Sequence, residues 1–104
     1  MYKKLDESVS VSPQISTDDL PAIAAQGFKS IICNRPDGES ADQTPYAMIE
    51  TAARKAGLPF RNIPVVSGAI TMDDVVAMKQ AIAELPKPIY AYCRSGARCT
   101  NLYM

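Results

Sequence analysis

A chain of 104 residues, 47% of them hydrophobic, can build one modest core. Its 11 lysines and arginines balance 11 aspartates and glutamates, so no net field draws it to nucleic acid or to an anionic membrane surface. No apolar run nears the roughly 18 residues of a membrane span, and MYKKLDESVS lacks the apolar centre of a signal peptide, so the cytoplasm is the expected setting.

In chain order, VSVS (Val9 to Ser12) alternates like a short strand. ISTDDLPAIAAQG reads as a helix that Ser16 or Thr17 caps, with Asp18 and Asp19 in its first turn and Gly27 ending it. FKSIIC (Phe28 to Cys33) is a compact β-branched run and predicts a buried strand. A polar loop, NRPDGESADQTP, precedes a second amphipathic helix, YAMIETAARKAG, which stops at Gly57. FRNIPVV (Phe60 to Val66) predicts another strand. In TMDDVVAMKQAIAEL, Thr71 and Asp74 have capping-box spacing ahead of the stripe Val75, Met78, Ile82, Leu85. PKP turns the chain into a last strand, IYAYC. CTNLYM looks like the first turn and a half of a helix, and the natural domain is expected to continue past Met104.

Strands alternating with helices imply an α/β fold: a single domain over residues 1–104, with a central, mostly parallel sheet flanked by helices. Ligands of such sheets bind beyond the carboxyl ends of the strands. Three loops leave those ends, Asn34 to Thr44, Ser67 to Ile70 and Cys93 to Arg98, so Arg35, Asp37, Glu39 and Ser67 become candidate rim neighbours of Cys93. Asp37 or Glu39 could supply a proton from this rim, although Pro-Asp-Gly is ordinary turn chemistry. Asp73 and Asp74 fit a helix N-terminus better than a catalytic role. Arg35 could bind an anion or form a surface ion pair.

Cys33, Cys93 and Cys99 are too few and too widely spaced for a disulfide framework. With no histidine and no Cys-x-x-Cys they make no zinc set either, so no metal or cofactor is expected. Cys33 reads as core. Cys93 does not, because it ends an apolar run and opens the loop CRSGAR. Gly96 lets the backbone curl so that the N–H groups of Arg94, Ser95, Gly96 and Ala97 can form an anion nest. That positive field favours a thiolate. Arg98 offers a planar fork for an anion over the sulfur, while Arg94 faces substrate or solvent. A thiol at Cys99 could hydrogen-bond the nucleophile weakly or act as a resolving thiol for an oxidised Cys93.

CRSGAR resembles the active-site loop of rhodaneses, whose first cysteine carries a persulfide, and less closely the Cys-x5-Arg phosphate loop of cysteine-dependent phosphatases. With VSPQIS, GFKSIICNRPDGE, IPV…GAIT and YCRSGAR, about nine tenths of the chain is similar to the beta-lactamase-hydrolase-like phosphatase-like domain family. The resemblance implies a dual-specificity-phosphatase-like fold. It also implies a possible partner, a fused or separate metallo-beta-lactamase-type persulfide dioxygenase domain.

Three features depart from the phosphatase pattern. Arg98 follows Cys93 by five residues and not six; Tyr92 stands where phosphatases usually place a histidine; Ser67 stands near the place of the general-acid aspartate. Loss of that acid forfeits about 10²- to 10⁴-fold for a poor leaving group. These departures favour sulfur, and the leading expectation is a sulfurtransferase in which Cys93 carries a persulfide from a sulfane-sulfur donor to a thiol. The alternative is a cysteine-dependent phosphatase acting on a phosphate ester through phosphocysteine. A second alternative is a non-catalytic anion-binding regulatory module. All three take a small anion.

Overall fold

The computed structural model describes residues 2–103. Its strands are β1 (Lys3–Lys4), β2 (Val9–Ser12), β3 (Ser30–Cys33), β4 (Phe60–Asn62) and β5 (Ile89–Tyr92). Its helices are α1 (Leu20–Ala25), α2 (Tyr46–Lys55), α3 (Met72–Glu84) and α4 (Ala97–Tyr103), with a 3₁₀ turn at Thr17–Asp19. The strands form one sheet in the order β1-β2-β5-β3-β4. Four are parallel and β1 pairs antiparallel at the edge, so the sheet is mixed and mostly parallel as expected.

Successive strand residues point to opposite faces, and here both faces are covered. Ile89 and Ala91 of β5 join Val9, Val11, Ile32, Met78 and Leu102 on the side of α3 and α4. Tyr90 and Tyr92 join Leu20, Ile23, Ile31, Ile49 and Ala53 on the side of α1 and α2. Of the stripe predicted on α3, Met78 is fully buried, while Val75 and Ile82 pack against the core partly exposed.

Element boundaries differ from the sequence reading where local chemistry intervenes. The helix expected from Ser16 begins as the 3₁₀ turn, with the Asp19 carboxylate accepting from the Ser16 N–H at 2.9 Å; Pro21 then sits in the first turn of α1. The strand expected to reach Val66 ends at Asn62, because Pro64 has no N–H for the ladder. The chain nevertheless stays tied to β3, through Ile63 N to the Cys33 carbonyl at 2.8 Å and Val65 N to the Asn34 carbonyl at 3.1 Å. The Thr71–Asp74 capping box forms as predicted: Asp74 N donates to Thr71 Oγ1 and Thr71 N donates to Asp74 Oδ2.

Register positions the site. Tyr92 at the end of β5 lies beside both Ser12 at the end of β2 and Cys33 at the end of β3. Cys93 N still donates to the Ser12 carbonyl and Asn34 N to the Tyr92 carbonyl, so these strands finish level. The buried Asn34 side chain donates to the Ile63 carbonyl and binds the exit of β4 to the same rim. No helix of the described structure is long and apolar enough to cross a membrane.

Candidate active site

β5 delivers Cys93 to the floor of the rim, where the residue is 1% exposed. The chain then curls at Gly96, whose φ of 92° is comfortable only for glycine. This curl aims the Gly96 N–H at the Cys93 sulfur, 3.0 Å away. Thr100 locks the turn, donating to the Gly96 carbonyl through its N–H at 3.1 Å and its hydroxyl at 2.9 Å. Cys99, through its thiol and its N–H, and the N–H groups of Ser95 and Gly96 also favour negative charge on this sulfur. Against a desolvation that opposes charge, these donors hold the Cys93 thiol down at about 5, a thiolate at neutral pH. Its partner moves the other way. The bond to Cys93 and deep burial push the Cys99 thiol far up, so it stays protonated and remains a donor.

Arg98 does not lay its fork over the sulfur as the sequence reading expects. Nη1 donates to Glu39 Oε2 and to the Val65 carbonyl, each at 2.9 Å, and Nη2 donates to Glu39 Oε1 at 3.1 Å. Glu39 also accepts from Arg35 Nε at 3.0 Å. Its carboxyl is therefore held below the usual range, first by Arg98 and then by Arg35. Arg98 keeps one buried donor without a partner, Nε. Arg35 is no surface residue: it is 4% exposed and its other nitrogens reach Gln14 and Ser40.

A cleft of about 360 Å³ opens over the loop, lined by Glu39, Ser67, Arg94, Ser95, Ala97 and Arg98 among others. Arg94, Ser95 and Ser67 are exposed at this mouth. Cys93, Gly96 and Cys99 thus gather around the sulfur, and Arg94, Ser95, Ala97, Arg98 and Ser67 around the cleft. Two rim candidates fall elsewhere. Asp37 accepts from Tyr46 N at 2.9 Å and so caps α2, and Arg35 stands behind Glu39. Glu39 as a clamp and Thr100 as a lock are the parts the sequence reading missed.

Comparison with known proteins bears on the chemistry. The family model described as "Beta-lactamase hydrolase-like protein, phosphatase-like domain" matches residues 1–104. A beta-lactamase hydrolase-like protein of Agrobacterium fabrum is 39% identical over 101 residues, covering 97% of this chain and 23% of that protein. One from Xylella fastidiosa is 37% identical over 99 residues, covering 95% of this chain and again 23% of the relative. The chain therefore spans about a quarter of the length of these relatives. Among solved structures, a candidate phosphatase from Neisseria meningitidis is 41% identical with a TM-score of 0.91, over 97% of this chain and 72% of that one. The core catalytic domain of a PP-IP phosphatase from S. cerevisiae shares the fold at a TM-score of 0.70, with 12% identity over 91% of this chain and 56% of that one.

These matches overturn the sulfurtransferase expectation, since family and neighbours alike are phosphatase-like. The error has a physical source. Five-residue spacing to Arg98 counted toward sulfur, yet the Arg98 guanidinium pairs with Glu39 of another loop. The spacing to the arginine does not measure the loop. The fold is that of dual-specificity-type phosphatases, and the chain belongs to the phosphatase-like domain family of the beta-lactamase hydrolase-like proteins.

Proposed function

We propose that this chain is a cysteine-dependent phosphatase domain that works through a phosphocysteine at Cys93. The observation that carries the reading is the sulfur itself. It is buried at the end of a parallel strand with the Gly96 N–H aimed at it from 3.0 Å, and the groups around it hold the thiol down at about 5, which favours thiolate at neutral pH. The thiolate attacks phosphorus, the ester oxygen departs, and water then cleaves the S–P bond to release inorganic phosphate. The N–H groups that stabilise the free thiolate are placed to share their charge with the phosphoryl oxygens as the S–P bond forms. Arg98 lines the cleft, and the exposed Arg94 adds positive charge at the mouth.

The test is turnover of p-nitrophenyl phosphate together with intact-mass detection of a phosphoryl adduct after acid quench. Wild type should turn over, be inhibited by vanadate and carry the adduct, and Cys93→Ser should do none of these. Absence of both turnover and adduct, with the Cys93 thiol shown to be free, would remove the phosphatase reading.

A further inference from the structure

The cleft beside the nucleophile loop has one carboxylate in its lining, Glu39, and that carboxylate already has partners. Both of its oxygens accept from Arg98 and one accepts from Arg35 as well. A carboxylate fixed between two guanidinium groups stays ionised, so it has no proton to give near neutral pH. Three other acids near the rim are engaged in building it, and Asp73 lines a separate groove with Arg61 and Asn62. Asp37 caps α2 through Tyr46 N, Asp42 accepts from the Ser40 hydroxyl, and Asp74 closes the capping box of α3. Ser67, on the cleft wall, is a hydroxyl with an alcohol's acidity and does not replace a carboxylic acid.

We propose that Glu39 is a positioning residue for Arg98 and not a general acid, and that the site is therefore built for phosphoryl groups on leaving groups that depart as stable anions, namely acyl phosphates and phosphoanhydrides. The inference rests on the phosphatase reading and names its substrate class. In the first step the Cys93 sulfur forms an S–P bond while the P–O bond to the leaving group breaks. The electron pair stays on the leaving oxygen, which departs as a carboxylate or phosphate with no proton added. In the second step water forms a new P–O bond and the S–P pair returns to sulfur as thiolate. One water proton is retained on the phosphate oxygen and the other passes to solvent. Serine, threonine and sugar phosphates would need a proton on an alkoxide, which none of the described residues lining the cleft supplies.

The experiment measures kcat/KM for the 104-residue chain on aryl phosphates spanning several units of leaving-group pKa. That ratio reports the first irreversible step even where hydrolysis of phosphocysteine limits kcat. Acetyl phosphate, inorganic pyrophosphate and phosphoserine are run beside them. Without proton donation, kcat/KM should fall about tenfold for each unit of leaving-group pKa. Acetyl phosphate or pyrophosphate should turn over, the one that does naming the source, and phosphoserine should be slower than either by at least about 10²-fold. Glu39→Gln should lower every member of the aryl series by one common factor and leave the slope alone.

A flat series in wild type, or a slope that steepens in Glu39→Gln, would make Glu39 or another group the acid and overturn the inference. Turnover of aryl esters with neither acetyl phosphate nor pyrophosphate accepted would overturn the substrate class. Failure of even the most activated aryl ester, with no adduct on Cys93, is the separate failure of the phosphatase reading itself.

Discussion

Arg98 meets Glu39 through both prongs of its guanidinium, Nη1 to Oε2 at 2.9 Å and Nη2 to Oε1 at 3.1 Å, across 59 residues of chain. The pair joins the nucleophile loop to the loop after β3. Because Arg35 also reaches the same carboxylate, one negative charge serves two buried cations. Geometry of this kind fixes orientation more than it adds stability, since desolvation offsets much of the attraction.

Removing the shared anion leaves both buried guanidinium groups without this counter-charge, with only neutral partners at Val65, Gln14 and Ser40. Glu39→Ala should therefore destabilise the fold by about 1–3 kcal/mol, toward the low end for buried pairs because the Glu39 side chain is 23% exposed. A shifted urea midpoint at unchanged m-value checks this. The sign with pH follows from the depressed carboxyl. Its stabilisation is present above the unfolded-state value near 4.3 and is lost as pH falls through the lower folded-state value. Glu39→Gln should be less stable than wild type at neutral pH and lose less on acidification. Equal acid sensitivity of the two proteins would show that Glu39 titrates normally.

Gly96 gives a second prediction. A Cβ there would meet Ser12 backbone atoms at 3.5 Å and beyond, which is ordinary contact, so space is not the obstacle. The φ of 92° is. Gly96→Ala should cost about 1–2 kcal/mol through that backbone alone. It should also turn the Gly96 N–H away from Cys93 and lower the thiolate fraction at neutral pH. Wild-type stability together with an unchanged thiolate would mean that the curl tolerates a side chain.

The fold was legible wherever one element carried its own signal. β-branched SIIC and apolar IYAYC read as buried strands because side chains alternate across a covered sheet, and Thr71–Asp74 read as a helix start because a capping box is local. The nucleophile was legible for the same reason: a cysteine, a glycine and a helix start all fall within one short loop. The destination of Arg98 was not, because Glu39 lies in a different loop and no spacing rule connects them. Asp37 misled in the same way, as its partner is an N–H nine residues on. The expectation of sulfur chemistry came from the rhodanese-like loop, the short count to Arg98 and the missing general acid, none of which tells sulfur from phosphorus without the family match.

Thr71 offers a control remote from the chemistry. Its hydroxyl accepts from Asp74 N at 3.2 Å at the start of α3. Thr71→Ala should cost about 1 kcal/mol of stability. The Cys93 thiolate should be untouched. A matching loss of thiolate would mean that α3 and the nucleophile loop are coupled, contrary to the local reading of the cap.

Cys99 makes the sharpest prediction, because its S–H is first among the groups that hold the Cys93 thiol down. Cys99→Ala deletes that donor and leaves only backbone N–H groups to oppose the desolvation of a buried sulfur. The Cys93 midpoint should move up from about 5, so that thiolate is lost first at mildly acidic pH. Cys99→Ser restores a donor, and a hydroxyl is a better one than a thiol, so its midpoint should stay near the wild-type value or fall below it. Ultraviolet thiolate absorbance against pH reads the midpoint, with Cys93→Ser as the blank for Cys33 and Cys99. If serine and alanine shift the midpoint equally upward, the S–H is a space-filler and the N–H groups alone make the thiolate. If alanine shifts it and serine does not, the side-chain hydrogen bond at position 99 sets the charge of the nucleophile.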